Sequence, residues 1–131
     1  MRFLLLICLV ISGCAGSPIR IAMMSQEELK QLNAFNLCQA YYFHKDQGAK
    51  KELIRRDVIS SDEWSLIEKG SLAIGMSELA FICSWGEPDI QGTMNETVTK
   101  YGVNRQWVYR CDYCKTRYVY TENGKITSWQ N

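Results

Sequence analysis

The sequence predicts an α+β domain of two layers, with helices packed on a small antiparallel β-meander in an ααβββ-like order behind an extra N-terminal helical region. Three observations predict it. Up to about residue 85, apolar side chains recur at helical spacing, punctuated by capping signals. Residues 104–130 instead alternate polar and apolar side chains and are rich in Trp and Tyr. Between these halves, Gly86 terminates a helix and Pro88 forbids its continuation. A meander needs cover on one face, and the helices are the available cover.

The chain opens MRFLLLICLVISGCAGS. Arg2 supplies a short positive segment, Phe3 to Ile11 an apolar run, and Ser12 and Gly13 small residues before Cys14. That is the order of a signal peptide over residues 1–13. The run falls well short of the ~20 residues a transmembrane helix needs. Ile11-Ser12-Gly13-Cys14 resembles a bacterial lipobox. The resemblance implies cleavage between Gly13 and Cys14, a diacylglycerol on the Cys14 sulfur and a palmitate-like chain on its new amine. Each buried CH₂ adds about 0.8 kcal/mol, so more than one chain gives a stable anchor. The best-known inner-membrane retention signal in such lipoproteins is an Asp at the second mature position. Ala15 stands there, which implies the outer membrane, with the domain facing the periplasm.

Residues 14–24 then read as a lipidated tether in which Pro18 interrupts any helix, although Ile19, Ile21, Met23 and Met24 are apolar for a free linker. Residues 25–131 form one domain, divided into a helical region over 25–70 and a meander-bearing part over 72–130. The first helix is expected over 26–45, with Ser25 and Glu28 as a capping box and Gly48 as its end. Two short helices follow around Val58-Ile59, the first with Leu53, Ile54 and Val58 on its apolar side, the second opened by Ser60 and Glu63. Ser77 caps a further helix whose residues 79–85 are almost continuously apolar, so it is buried on most sides. Strands are expected at about 104–110, 116–122 and 125–130. Asn123-Gly124 is the turn of the last hairpin, of type I′. Residues 89–100 suit either a loop or an edge strand.

Six cysteines need sorting. Cys8 leaves with the signal peptide and Cys14 is lipidated. Cys38, Cys83, Cys111 and Cys114 remain, an even number in an oxidising compartment, which favours disulfides. The preferred pairing joins Cys38 to Cys83, between two helices, and Cys111 to Cys114 across a two-residue turn at Asp112-Tyr113. Opposed strand residues lie ~4.5–5.5 Å apart at Cα, within the usual disulfide span of about 4.4–6.8 Å. A zinc site at Cys111 and Cys114 needs two further ligands from Cys38, Cys83 or His44, and no second C-x₂-C is present. A redox pair normally sits at a helix N-terminus, whereas the surroundings here read as strand.

Gly75-Met76-Ser77, Leu79, Trp85-Gly86-Glu87-Pro88, Gln106-Trp107-Val108-Tyr109, Tyr118-Val119-Tyr120 and Asn123-Gly124-Lys125-Ile126, in that order, resemble the BamE/SmpA/OmlA-type outer-membrane lipoproteins over residues 72–130. The resemblance implies an ααβββ fold, an outer-membrane lipid anchor and an accessory role in assembly of β-barrel proteins. The helical region 26–70 and the Cys111–Cys114 segment depart from the family pattern, and no partner-binding residue carries over. The same fold also serves secreted inhibitors, so fold alone does not fix function.

Catalytic signatures are lacking. His44 stands alone on a helix, and Asp57, Asp62, Glu63 and Glu68 fall in helix caps and faces. G-x-S-x-G, phosphate-loop and H-E-x-x-H patterns are missing. No enzyme, cofactor or metal is expected. Removal of residues 1–13 from 131 leaves 118, and Lys+Arg falls from 15 to 14 against 14 acidic residues. This neutral balance gives no basic face for nucleic acid. Lys50, Lys51, Arg55 and Arg56 cluster, either as a contact for anionic lipid near the anchor or, the favoured reading, as a solvated helix face. The strand aromatics Trp107, Tyr109, Tyr118, Tyr120 and Trp129 are the candidate partner surface, since an aromatic sheet face left outward invites docking. The expected function is that of a non-catalytic binding or structural module on the outer membrane, with an envelope protein as partner. It would be accessory to outer-membrane protein assembly or envelope integrity. The alternatives are an envelope redox or zinc-binding protein using Cys111 and Cys114, and a periplasm-facing inhibitor on the same fold.

Overall fold

A computed structural model describes residues 17–89 and 91–131. Its first helix, α1 (Pro18–Ala22), begins at the proline expected to prevent one. Pro18 occupies the first helical position, where its missing N–H has no intrahelical partner to lose and its fixed φ suits the helix. Ser17 caps it. Ile21 is buried and Met24 packs on the core, while Ile19 and Met23 face solvent. The tether residues nearest the domain are therefore part of it.

The single helix expected over 26–45 is two: α2 (Gln26–Leu29) and α3 (Ala34–His44). The capping box of Ser25 and Glu28 forms as expected. Asn33 then starts α3 afresh, its Oδ1 accepting from the Asn36 N–H at 2.8 Å. A strong N-cap side chain inside an apolar stripe outweighed the stripe's continuity. Gly48 lies within the first turn of α4 (Gln47–Arg55), capped by Asp46, and ends nothing. A Cβ there would stand 2.6 Å from Gln26 Nε2 and 2.9 Å from Leu29 Cδ1, so glycine lets α4 approach α2. The buried face of α4 carries Ala49, Glu52 and Leu53. Ile54 and Val58, expected on the apolar side, are exposed.

Helix α5 (Ser61–Glu68) opens with the expected Ser60–Glu63 capping box. Helix α6 (Glu78–Trp85) is capped by Ser77, buries Ala80 to Ser84, and stops at Gly86. Helix α3 is the hub of the helical layer, packing on α1, α4 and α6, with α5 against α6 and α2 against α4.

The sheet has four antiparallel strands in sequence order: β1 (Thr93–Thr99), β2 (Gly102–Tyr109), β3 (Arg117–Glu122) and β4 (Lys125–Gln130). Residues 93–99 thus form the edge strand. Asn123 and Gly124 both have positive φ, 48° and 79°, as a type I′ turn requires. The hairpin docks on the start of α6: Gly75 N–H donates to Ile126 O, and Ile126 N–H donates to Met76 O. That pairing covers the start of the β4 edge, at Lys125 and Ile126, whereas every residue of β1 is exposed.

One face of the sheet lies on the helices. Phe81 of α6 meets Trp107 and Tyr109 edge-on, at centroid distances of 5.4 and 6.1 Å. Val119, Ile126 and Trp107 join Leu37, Leu53, Ile67 and Ile82 in one continuous core. No described helix is long and apolar enough to cross a membrane.

Candidate functional site

Strand alternation divides the five expected surface aromatics. Trp107 and Tyr109 point inward and are buried, contrary to their assignment to a partner surface. The physical reason is phase: they share a face of β2 with Arg105, which reaches Glu78 on α6. Tyr109 O–H donates to Gly86 O at 2.7 Å, and burial pushes its phenol well above the ordinary range. Trp107 Nε1–H donates to Thr121 Oγ1, and Thr121 O–H donates to Glu78 Oε1 at 2.6 Å. Trp129 packs against the core, half-buried.

Tyr118 and Tyr120 alternate onto the opposite face. Their rings stack at 6.4 Å with 15° between planes. Beside them Asn95 Nδ2 donates to Gln106 Oε1 at 3.1 Å, and Gln106 Nε2 donates to Tyr120 Oη at 3.3 Å. This row crosses β1, β2 and β3 because the three residues are direct register partners. It forms one wall of a shallow polar depression of about 410 Å³ that Asn104 and Thr127 also line.

A second feature lies at the β2–β3 connection. Cys111 and Cys114 are bonded, with Cα atoms 5.5 Å apart. They do not face each other across a two-residue turn, because register ends at Tyr109↔Arg117 and leaves seven residues, 110–116, between the strands. The bridge sits in an exposed loop whose tip, Tyr113, has a relative exposure of 101%. It borders a cleft of about 230 Å³ with Tyr42, Phe43, Glu87, Arg110 and Arg117. Arg117 lies over the Trp85 ring at 4.4 Å and near Tyr109 at 5.8 Å, which fixes a cation at the cleft.

The other bridge joins Cys38 of α3 to Cys83 of α6, both wholly buried, with Cα atoms 4.4 Å apart. Gly13 and Cys14 lie outside the described residues. His44 is exposed at the end of α3. Among the described residues, no group of three or more His, Cys, Asp or Glu side chains could hold a metal ion.

Three of the four clustered cations are engaged within the domain. Lys50 pairs with Glu68 and lies over Trp64. Arg55 and Arg56 both bind Glu52, and Arg56 also donates to Leu29 O and Lys30 O. The Arg55 and Arg56 guanidiniums hold the buried Glu52 carboxyl down at about 2. Glu63 has two duties, since it accepts from Ser60 N–H and, at 2.7 Å, from Ser77 N–H at the head of α6. Burial pushes the Glu63 carboxyl up, but the hydrogen bonds from Ser77 and Ser60 outweigh this and hold it below the ordinary range.

Sequence reasoning missed the Glu78–Arg105–Thr121 network and the second role of Glu63. A signal for the first was available: Arg105 and Thr121 occupy inward phases of their strands, where a polar residue needs a buried partner. No family model matches the chain, and no curated protein or solved structure matches it either.

Proposed function

We propose that the chain is an outer-membrane lipoprotein, anchored through acylated Cys14 and facing the periplasm, whose α+β domain is a non-catalytic binding module for an envelope protein. The observation that carries this reading is the open outer face of the sheet. There the stacked Tyr118 and Tyr120 stand beside the Asn95–Gln106–Tyr120 row. Tyrosine offers a large apolar area with a polar tip, a combination enriched at protein interfaces. The β1 edge, exposed along its length, adds unpaired backbone groups next to that face. Trp107 and Tyr109 have no part in it, being committed to the core.

Location rests on Ile11-Ser12-Gly13-Cys14, and two disulfides suit an oxidising compartment. The resemblance of residues 72–130 to the BamE/SmpA/OmlA-type lipoproteins supports a role in outer-membrane protein assembly or envelope integrity. Deleting the gene tests the reading. The deletion is expected to lower the level of folded barrel proteins and raise detergent sensitivity. The wild-type gene is expected to restore both, whereas Cys14→Ser and the double variant Tyr118→Ser/Tyr120→Ser are not, the latter with an unchanged circular dichroism spectrum. Unaltered barrel levels and detergent resistance in the deletion strain would refute it.

A further inference from the structure

The two disulfides occupy opposite surroundings. Cys38 and Cys83 are fully buried between α3 and α6, so no solution thiol reaches either sulfur without the helices separating. Cys111 and Cys114 are exposed, as are all residues from Arg110 to Lys115. Among the described residues, no backbone–backbone hydrogen bond outside the strands begins or ends in 110–116. Two side-chain contacts tie the loop to its neighbour, Arg110 Nη1 to Gln91 O and Gln91 Nε2 to Asp112 Oδ2, each at 3.4 Å. The bridge therefore restrains a surface connection, and both of its cysteines are exposed.

We propose that Cys111–Cys114 is a thiol–disulfide exchange site, reversibly reduced by a dithiol while Cys38–Cys83 stays closed. One thiolate of the dithiol attacks an exposed sulfur. The Cys111–Cys114 bond breaks, a mixed disulfide forms, and the other cysteine leaves as thiolate. The second thiol of the dithiol then displaces the mixed disulfide. Two electrons and two protons pass from the dithiol to Cys111 and Cys114, and the dithiol departs as its own disulfide.

The surroundings favour the leaving thiolate. Arg110, Arg117 and the bridge line one cleft, and Lys115 adjoins Cys114. Nearby cations stabilise a thiolate. Asp112 in the loop and Glu87 and Asp89 at the cleft offset part of that charge. No helix begins at Cys111, so the pair lacks the device that a catalytic dithiol uses. Its role is that of the acceptor. Reduction frees the loop from its ring and dismantles one wall of the cleft beside Tyr42 and Phe43. This inference is independent of the binding role and of the lipid anchor.

The test uses the oxidised full chain, equilibrated in buffers of graded reduced-to-oxidised dithiothreitol ratio, then acid-quenched, alkylated and mapped by peptide mass spectrometry. Because a dithiol reaches Cys111–Cys114 without separating α3 from α6, that bridge is expected to open completely at ratios and times that leave Cys38–Cys83 closed. The far-ultraviolet circular dichroism is expected to be unchanged at that point. The single variants Cys111→Ser and Cys114→Ser, incubated with oxidised glutathione, are expected to form the mixed disulfide on the remaining sulfur in the folded state. Both bridges opening together, Cys38–Cys83 opening first, or glutathione reacting only after urea unfolding would each overturn the proposal.

Discussion

Loss of the buried bridge is the most informative perturbation of this fold. Cys38 and Cys83 are 45 residues apart in sequence, so their bond closes a long loop that takes in α4 and α5. The chain-entropy relation gives about 4 kcal/mol for such a loop, lost through a freer unfolded chain rather than through native contacts. Both sulfurs are fully buried in the α3–α6 contact. Cys38→Ala/Cys83→Ala is therefore preferable to serine, which would bury two hydroxyls. The same relation gives only about 2 kcal/mol for the short ring of Cys111–Cys114. Urea denaturation of both double variants, followed by tryptophan fluorescence, measures the two losses side by side. Removal of Cys38–Cys83 is expected to cost about 4 kcal/mol and to lower the melting temperature by on the order of 15 °C. The slope in denaturant should rise, because the freed unfolded chain exposes more surface. A loss below about 1 kcal/mol, or a larger loss for the Cys111→Ala/Cys114→Ala variant, would refute the reasoning.

Three further outcomes follow from named contacts. Arg55 and Arg56 hold the Glu52 carboxyl at about 2, below its ordinary 4.5, so its stabilising effect is complete above about 4.5 and is lost as pH falls towards 2. The urea midpoint measured from pH 7 to pH 2 should show that loss, and Glu52→Gln should be less stable at pH 7 and flatten the acid limb. Phe81 is wholly buried against Trp85, Trp107 and Tyr109, so Phe81→Ala should cost about 3–5 kcal/mol in chemical denaturation. Gly86 has φ 72° and an added Cβ would stand 2.6 Å from the Tyr42 ring, so Gly86→Ala should destabilise by more than ~1 kcal/mol in the same assay.

Local chemistry was legible where one residue type decides a conformation. Ser25–Glu28, Ser60–Glu63, Ser77, Gly86 and Asn123-Gly124 mark boundaries that the structure keeps, because each satisfies or frees particular backbone groups. Cys38–Cys83 was only the preferred of the three pairings that four cysteines allow, since sequence places Cys83 on a buried helix but does not name its partner, and the structure has that pairing. The errors arose where two local rules competed. Pro18 ends a helix in one register and begins one in another, and only the packing of Ile21 decides between them. Asn33 sits in an apolar stripe that reads as continuous, yet its side chain restarts the helix. The seven-residue β2–β3 connection was invisible because Cys111 and Cys114 also fit a tight turn, and register is a property of the paired strands.

The candidate surface was legible only as a composition. An alternating strand states that half its aromatics are buried but not which half, since a shift of one residue exchanges the faces. Here Trp107, Tyr109 and Val119 pack on the core around Phe81, and polar partners on the same face fit that phase. Glu78 engages Arg105 on β2 and Thr121 on β3, and Tyr109 reaches Gly86 O. Those three contacts come from one helix and its C-terminal glycine, on the face where Trp107 and Tyr109 pack against Phe81. Tyr118 and Tyr120 are then left outward by the register pairing of β3 with β2. The residues that expose the outer face are thus the ones that hold α6 to the inner face. Tyr118 and Tyr120 can be changed without disturbing that attachment, which is why their loss separates a binding role from a folding role.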